Sequence, residues 1–345
     1  MTKTWTLEEI AQRVGATLRG EGDHVIESLA PLTRAQANQL SFLANSHYLP
    51  ALTTTHAGAV LLRPEDAAGF QGRALIVGNP YAAYAQVSHC FDSAPQGEPG
   101  IHPQACVSAS SRVDPTASVA AFVTVADGAL IGAGSVIEAG AFVGARVQIG
   151  KDCRIRANAV IHHDCVLGDR VTIHSGAVIG DDGFGFAPSK GRWNKIAQIG
   201  RVILHDDVDI GSGTTVDRGA LDDTVIHEGV IIDNLVHIGH NVEIGAHTAI
   251  AGCCGISGST KLGAHCVLAG GVGLVGHIEL CDNVQVTGMS MITKSITRPG
   301  SYSSGMAFER TENWRKSAVR VRGLDEMARR LRELEAIVKQ LTPPQ

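Results

Sequence analysis

From Ile101 onward every sixth residue is aliphatic: Ile101, Val107, Val113, Val119, Val125, Ile131, Ile137, Val143, Ile149, Ile155, Ile161, Leu167, Ile173 and Ile179, fourteen positions without an exception. The period resumes at Leu204, Ile210 and Val216, and again from Ile226 through Ile232, Ile238, Ile244, Ile250, Ile256, Leu262, Leu268, Leu274, Leu280 and Val286 to Ile292. Four residues after each anchor stands a small or β-branched residue, as at Ala105, Ser111, Ala117, Val123, Val230, Val236, Val242 and Thr248. Two inward positions per six residues describe a short strand followed by a turn.

Such hexads resemble those of the left-handed parallel β-helix, in which each hexad forms one face of a triangular prism and three faces complete a coil. A single coil cannot bury its own interior. Coils stacked about 4.8 Å apart pair their backbones and bury a continuous aliphatic column. Composition fits a repetitive, mainly β architecture, with 40 glycines, 44% apolar residues and only 4% aromatics. Cys153, Cys165, Cys254 and Cys266 fall on the small inward position, where a thiol is a compact apolar filler. Cys90, Cys106, Cys253 and Cys281 lie elsewhere without an evident partner, and no CxxC pair occurs.

The period breaks at residues 180–203, which contain GDDGFGFAPSKGRW, and at residues 217–225. Loops extruded from a rigid prism are natural places for function. A separate α/β unit is expected before the prism. TLEEIAQRVGA reads as an amphipathic helix with Thr6 and Glu9 in capping-box spacing, and LSFLA and GAVLL read as strands. DSAPQGEPG, residues 92–100, is the expected linker. After RPGS the pattern turns helical. Leu324, Met327, Leu331, Leu334, Val338 and Leu341 form an a/d seam that favours a short bundle between subunits, and a three-faced prism makes a homotrimer the natural closure. Three domains are therefore expected: residues 1–100, 101–297 and a helical extension at 298–345.

The formal charge of -5 gives no reason to expect nucleic-acid binding. The N-terminus lacks the features of a signal peptide and no apolar run is long enough to span a membrane, so a cytoplasmic protein is expected.

Chemistry is sought first among the histidines. His240 stands two after Ile238 in an outward phase near a corner; eighteen residues on, one coil further, stands Gly258, and then Gly276 beside His277. A histidine with glycines stacked above it leaves a groove in which backbone N–H groups can be approached. The imidazole could accept a proton from a nucleophile, and an amide about 5 Å away could receive an oxyanion, which is a geometry for acyl transfer. His247 and His265 should stack as an exposed ladder, and His237 is undecided. A metal site is not expected: no two of the fifteen histidines stand at the pairing interval of the gamma-type carbonic anhydrases that share this prism.

IIDNLVHIGHNVEIG at 231–245, VTGMSMITKSI at 286–296, SYSSG at 301–305 and SFLANSHYLPAL at 41–52 together resemble the UDP-3-O-(3-hydroxyacyl)glucosamine N-acyltransferases of lipid A synthesis, across essentially the whole chain. The resemblance implies transfer of a 3-hydroxyacyl group from the phosphopantetheine of acyl carrier protein to the 2-amino group of UDP-3-O-acyl-glucosamine, with no permanently bound cofactor. It implies His240 as general base, the Gly258 N–H as oxyanion donor and His277 as an assisting histidine. It further implies that Phe42, Asn45 and Tyr48 recognise uridine and that Met289 and Met291 line the acyl groove. Asp233 would hold either the imidazole or the sugar, a solvated corner aspartate being an equal alternative. Arg310, Arg315, Lys316, Arg320 and Arg322 form a basic patch suited to an acidic carrier protein. Two rivals remain: the O-acyltransferase acting earlier in the same pathway, which typically begins directly with hexads, and a non-catalytic hexapeptide scaffold.

Overall fold

In a computed structural model, residues 4–95 and 97–341 are described; residues 1–3, Gln96 and 342–345, which include the outer ends of the first and third expected domains and one position of the linker, lie outside the described residues. The chain divides into two compact units before Gly97.

The first unit is built on a mixed five-stranded sheet, ordered Thr17–Arg19, Ala74–Ile76, Ala59–Leu62, Gln39–Phe42 and Ser28–Leu29. The first pair is antiparallel and the rest are parallel. The two strands expected from the sequence are its Gln39–Phe42 and Ala59–Leu62. Helix α1, Leu7–Val14, carries both halves of the Thr6/Glu9 capping box and ends on Gly15 in the left-handed region. Its Leu7 and Ile10 are buried with Leu61 and Leu75 of the sheet and Val87 of a later helix, α2, Pro80–Ser88.

The second unit is the expected solenoid. Its strands stack into three parallel sheets of nine, eleven and ten members among the described residues. Register follows the coil length where the period is unbroken, as in Ile238 with Ile256; on the other side Ile238 pairs with Val216, across the second break in the period. The hexad anchors from Val119 onward are buried, forming the aliphatic column with Cys153, Cys165, Cys254 and Cys266 among its fillers. Corners lie three residues after an anchor. There Asp152, Asn158, Asp164, Arg170, Asn241, His247, Ser259, His265 and His277 all take φ near +60°. Short polar residues tolerate that conformation best, which explains why Asn and Asp punctuate the hexads.

Both excursions leave this solenoid on one of its corners. The first carries an antiparallel hairpin, Phe186–Ser189 with Arg192–Lys195. The second binds the foot of the first: Ile199 N–H donates to Ala220 O and Gly200 N–H to Gly219 O, both at 2.9 Å. After the last coils come two helices, α3 at Thr311–Arg322 and α4 at Leu324–Leu341. No helix among the described residues is long and apolar enough to cross a membrane.

Candidate active site

Ile238 is buried in the column, so the chain turns the corner through Gly239 and presents His240 on the outer wall, half-buried. Its ring lies over the next coil. A Cβ placed on Gly258 would stand 2.7 to 3.0 Å from three atoms of the imidazole, so only glycine fits beneath the ring as it sits. The flanking amides of that coil are engaged, Ser257 N–H with Leu274 O at 3.1 Å and Ser259 N–H with His240 O at 2.9 Å. Among the described residues the Gly258 N–H has no such acceptor, which leaves one free amide beside the imidazole.

The ring is oriented by a residue that spacing did not single out. His240 Nδ1 lies 3.0 Å from Asn241 Oδ1. The amide cannot be flipped, because Oδ1 also accepts Ala220 N–H at 3.0 Å while Nδ2 donates to Asp222 O at 2.9 Å. An acceptor facing Nδ1 makes Nδ1 the protonated nitrogen, and Nε2 keeps its lone pair for a substrate. Asn241 is itself fixed by its N–H to Thr224 Oγ1 at 2.8 Å.

Both excursions reach this corner. Gly183 packs so closely on His240 that an added Cβ would meet the histidine's own Cβ at 2.7 Å. Beside it opens a cleft of about 470 Å³ lined by Asp182, Gly183, Phe184, Phe186, Lys195, Asp217 and His237. His237 is held at Nδ1 by Thr215 Oγ1 at 2.8 Å and faces the Asp217 carboxylate at 3.8 Å. Burial pushes the Asp217 carboxyl up, opposed by the nearby His237. Asp182 is held below the usual carboxylate range by its hydrogen bond from Lys195.

His277 sits one coil beyond Gly258, its N–H on Gly258 O at 3.2 Å and its ring exposed. On the adjoining sheet the outward positions run His237, Gly255, Gly273 and Met291 in consecutive coils, a lane without side chains between two bulky ends. The sulfurs of Met291 and Met289 lie over Gly273 and Gly271, and both methionines are largely exposed. Asp233 is placed differently. Its carboxylate accepts the N–H of Asn234 and of Gly252 at 2.8 and 3.0 Å and lines a separate groove with His174, Asp209, Ile231 and Val267. The orienting bond to the imidazole thus comes from Asn241 and not from Asp233. His247 and His265 stack at 5.3 Å, as their spacing indicated, and His205 and His227 form a second such pair.

In the first unit, Phe42, Asn45 and Tyr48 line one pocket of about 650 Å³ together with Tyr81, Tyr84 and Arg34. Asn45 caps the 3-10 helix Ser46–Thr53 by accepting His47 N–H at 2.9 Å. Phe42 stacks on Tyr84 with centroids 4.0 Å apart. Tyr81 and Tyr84 were not anticipated; their spacing on α2 was the signal, since residues three apart share a helix face. No group of three or more His, Cys, Asp or Glu among the described residues is arranged to hold a metal ion.

Comparison with known proteins bears on both units. Residues 23–90 match the family model described as UDP-3-O-(3-hydroxymyristoyl) glucosamine N-acyltransferase, LpxD, and residues 146–181 and 223–258 match that of bacterial transferase hexapeptide repeats. The chain is 58% identical over 334 residues to a UDP-3-O-acylglucosamine N-acyltransferase of Pseudomonas aeruginosa (strain UCBPP-PA14), spanning 97% of this chain and 95% of that one. It is 56% identical over 343 residues to the corresponding protein of Pseudomonas fluorescens (strain SBW25), spanning 99% and 98%. Among solved structures, an Arabidopsis UDP-N-acetylglucosamine acyltransferase aligns with TM-score 0.51 and 18% identity over 59% of this chain and 71% of that one, a likeness of fold alone.

Proposed function

The chain belongs to the UDP-3-O-acylglucosamine N-acyltransferase family of lipid A biosynthesis, and from that premise we propose how its residues carry the reaction. The acyl donor is a 3-hydroxyacyl thioester on the phosphopantetheine of acyl carrier protein, and the acceptor is the 2-amino group of UDP-3-O-acyl-glucosamine. The neutral amine attacks the thioester carbonyl carbon. As the C–N bond forms, His240 Nε2 takes the amine proton and the Gly258 N–H receives the carbonyl oxygen. Collapse of the tetrahedral intermediate breaks the C–S bond, and the departing thiolate takes the proton back from His240 Nε2 to leave as pantetheine thiol, which regenerates the neutral imidazole. General-base and oxyanion assistance of this kind are worth about 10²–10⁴-fold and about 10²–10³-fold.

One observation carries the reading: an imidazole whose Nδ1 faces Asn241 Oδ1 stands over Gly258, whose N–H has no acceptor among the described residues. His277 positions substrate beside that pair. The glycine lane between His237 and Met291 offers a flat wall to the acyl chain and pantetheine, with Met289 and Met291 as its apolar end. Phe42, with Tyr81 and Tyr84, gives uridine a stacking surface, and Asn45 and Tyr48 read its polar edge. Asp233, engaged on the Asn234 and Gly252 amides in its separate groove, fits the alternative of a solvated corner aspartate.

The same reading assigns residues 1–100 to uridine binding, 101–297 to transfer and 298–345 to assembly and carrier docking, in a cytoplasmic homotrimer. Every seam residue of α4 is exposed in the single chain, which favours burial between subunits, and the basic patch on α3 suits an acidic carrier protein.

The test is transfer from a 3-hydroxyacyl carrier protein to UDP-3-O-acyl-glucosamine, with UDP-N-acetylglucosamine as competing acceptor, by wild type and His240→Ala. Transfer to the free amine, lost in the variant by about 10²-fold or more, is the expected result. Transfer to the acetylated sugar would make the protein an O-acyltransferase, and undiminished turnover in the variant would remove His240 from the chemistry.

A further inference from the structure

Arg218 is the largest fully buried side chain among the described residues, 2% exposed, and it sits at the start of the second excursion. A buried guanidinium ordinarily needs a carboxylate partner. Here, among the described residues, its hydrogen bonds go to three carbonyls and one imidazole. Nε donates to Gly180 O at 2.7 Å, Nη1 to Gly200 O at 3.2 Å and to His163 Nε2 at 2.8 Å, and Nη2 to His163 O at 2.8 Å. Because arginine has no acceptor, the bond to the ring requires His163 Nε2 to be unprotonated.

These contacts have a topology. Gly180 and Gly200 bracket the first excursion, so one planar group clamps both of its ends, with the Arg218 N–H on Asp181 O at 2.9 Å as a further tie. From Gly200 a run of short bonds leads to the catalytic corner. Gly200 N–H binds Gly219 O and Ile199 N–H binds Ala220 O; Ala220 N–H binds Asn241 Oδ1, and that oxygen faces His240 Nδ1. No link in the run exceeds 3.2 Å. The clamped excursion also delivers Gly183 onto the back of His240.

We propose that Arg218 is a positioning residue of the acyl transfer, a buried clamp that joins both excursions and through Asn241 holds His240 with Nε2 presented to the substrate. The fork geometry matters more than the charge, because four separate acceptors must be met at once; an ammonium cannot span them. The inference rests on the reading of His240 as base.

It is tested in the full-length protein by a double-variant cycle on transfer to UDP-3-O-acyl-glucosamine, using wild type, Arg218→Lys, Asn241→Ala and the two combined, with thermal unfolding of each. Misplacing a reacting group by about 1 Å costs on the order of 10²-fold. Arg218→Lys is expected to lower kcat by that order with the acceptor KM nearly unchanged, and to lower it little further in the Asn241→Ala background. Independent, multiplying losses would overturn the proposal, as would wild-type kcat in folded Arg218→Lys. Should that variant not fold, His163→Ala, which removes only the exposed ring from the clamp, takes its place. It is expected to lower kcat in the same direction by less, again without a further loss in the Asn241→Ala background, and an unchanged kcat would sink the idea. If wild type itself does not transfer the acyl group, the reading beneath falls instead, and the clamp's role in transfer with it.

Discussion

Nδ1 of His240 lies 3.0 Å from Oδ1 of Asn241, the next residue in the chain, and the same oxygen accepts the N–H of Ala220 at an equal distance. The tautomer of the proposed base is therefore set by a corner residue of the prism wall, whose amide is in turn held by the second extruded loop. Asn241→Ala removes the acceptor and frees the ring. A fall in kcat of about 10-fold to 10²-fold is expected, bounded by what a general base supplies, with acceptor KM little changed. Steady-state kinetics decide it, and an unaltered kcat would mean that the ring finds its orientation unaided.

Gly258→Ala puts a methyl group into the imidazole. The backbone there tolerates alanine, so the fold should survive, yet the ring or the donor amide must move. Loss of kcat by about 10²–10³-fold is expected, the usual worth of an oxyanion donor, with a melting temperature close to wild type. Calorimetry beside the kinetic assay separates the two effects.

Phe42→Ala removes the ring stacked on Tyr84. Base-on-aromatic stacking is worth about 1–3 kcal/mol, so titration calorimetry with UDP should show binding weakened by about 10-fold to 10²-fold. Transfer at saturating acceptor should stay near wild type. A large fall in kcat with unchanged UDP affinity would place the nucleotide elsewhere.

Asp217 gives a prediction in pH. Its carboxyl is raised above the usual 3.8 chiefly by burial, so the ionised form is disfavoured in the folded state. A raised pKa means that its contribution to stability is greatest below the unfolded value and is lost as pH rises through the folded one. Asp217→Asn should therefore raise the melting temperature at pH 7, and the difference should close as pH falls toward about 4. A destabilised variant at pH 7 would show that the His237 contact outweighs the burial.

The terminal seam can be tested without touching the site. Leu331 and Leu334 are each 58% exposed in the chain, so Leu331→Lys with Leu334→Lys costs the single chain little in packing. Light scattering should show the proposed homotrimer weakened to smaller species. An intact trimer would assign assembly to the prism faces alone.

The hexad period by itself determined the column, the coil length and the stacking of His240 over Gly258, because in a solenoid each residue's neighbour lies a fixed number of positions along the chain. The corner histidine ladder and the cysteine fillers were legible for the same reason. Helix α1 and two strands of the first sheet followed from local periodicity and capping. Arg218, Asn241 and Gly183 were not legible as parts of the site. They lie in or against segments that leave the period, and their partners are set by loop backbones meeting across tens of residues. Tyr81 and Tyr84 came to Phe42 only through the packing of α2 against the sheet. A repeat specifies its own wall; how His240 is turned on that wall is decided by Asn241 and by the non-repeating loop that holds the Asn241 amide, whose geometry exists only once the coils beneath it are stacked.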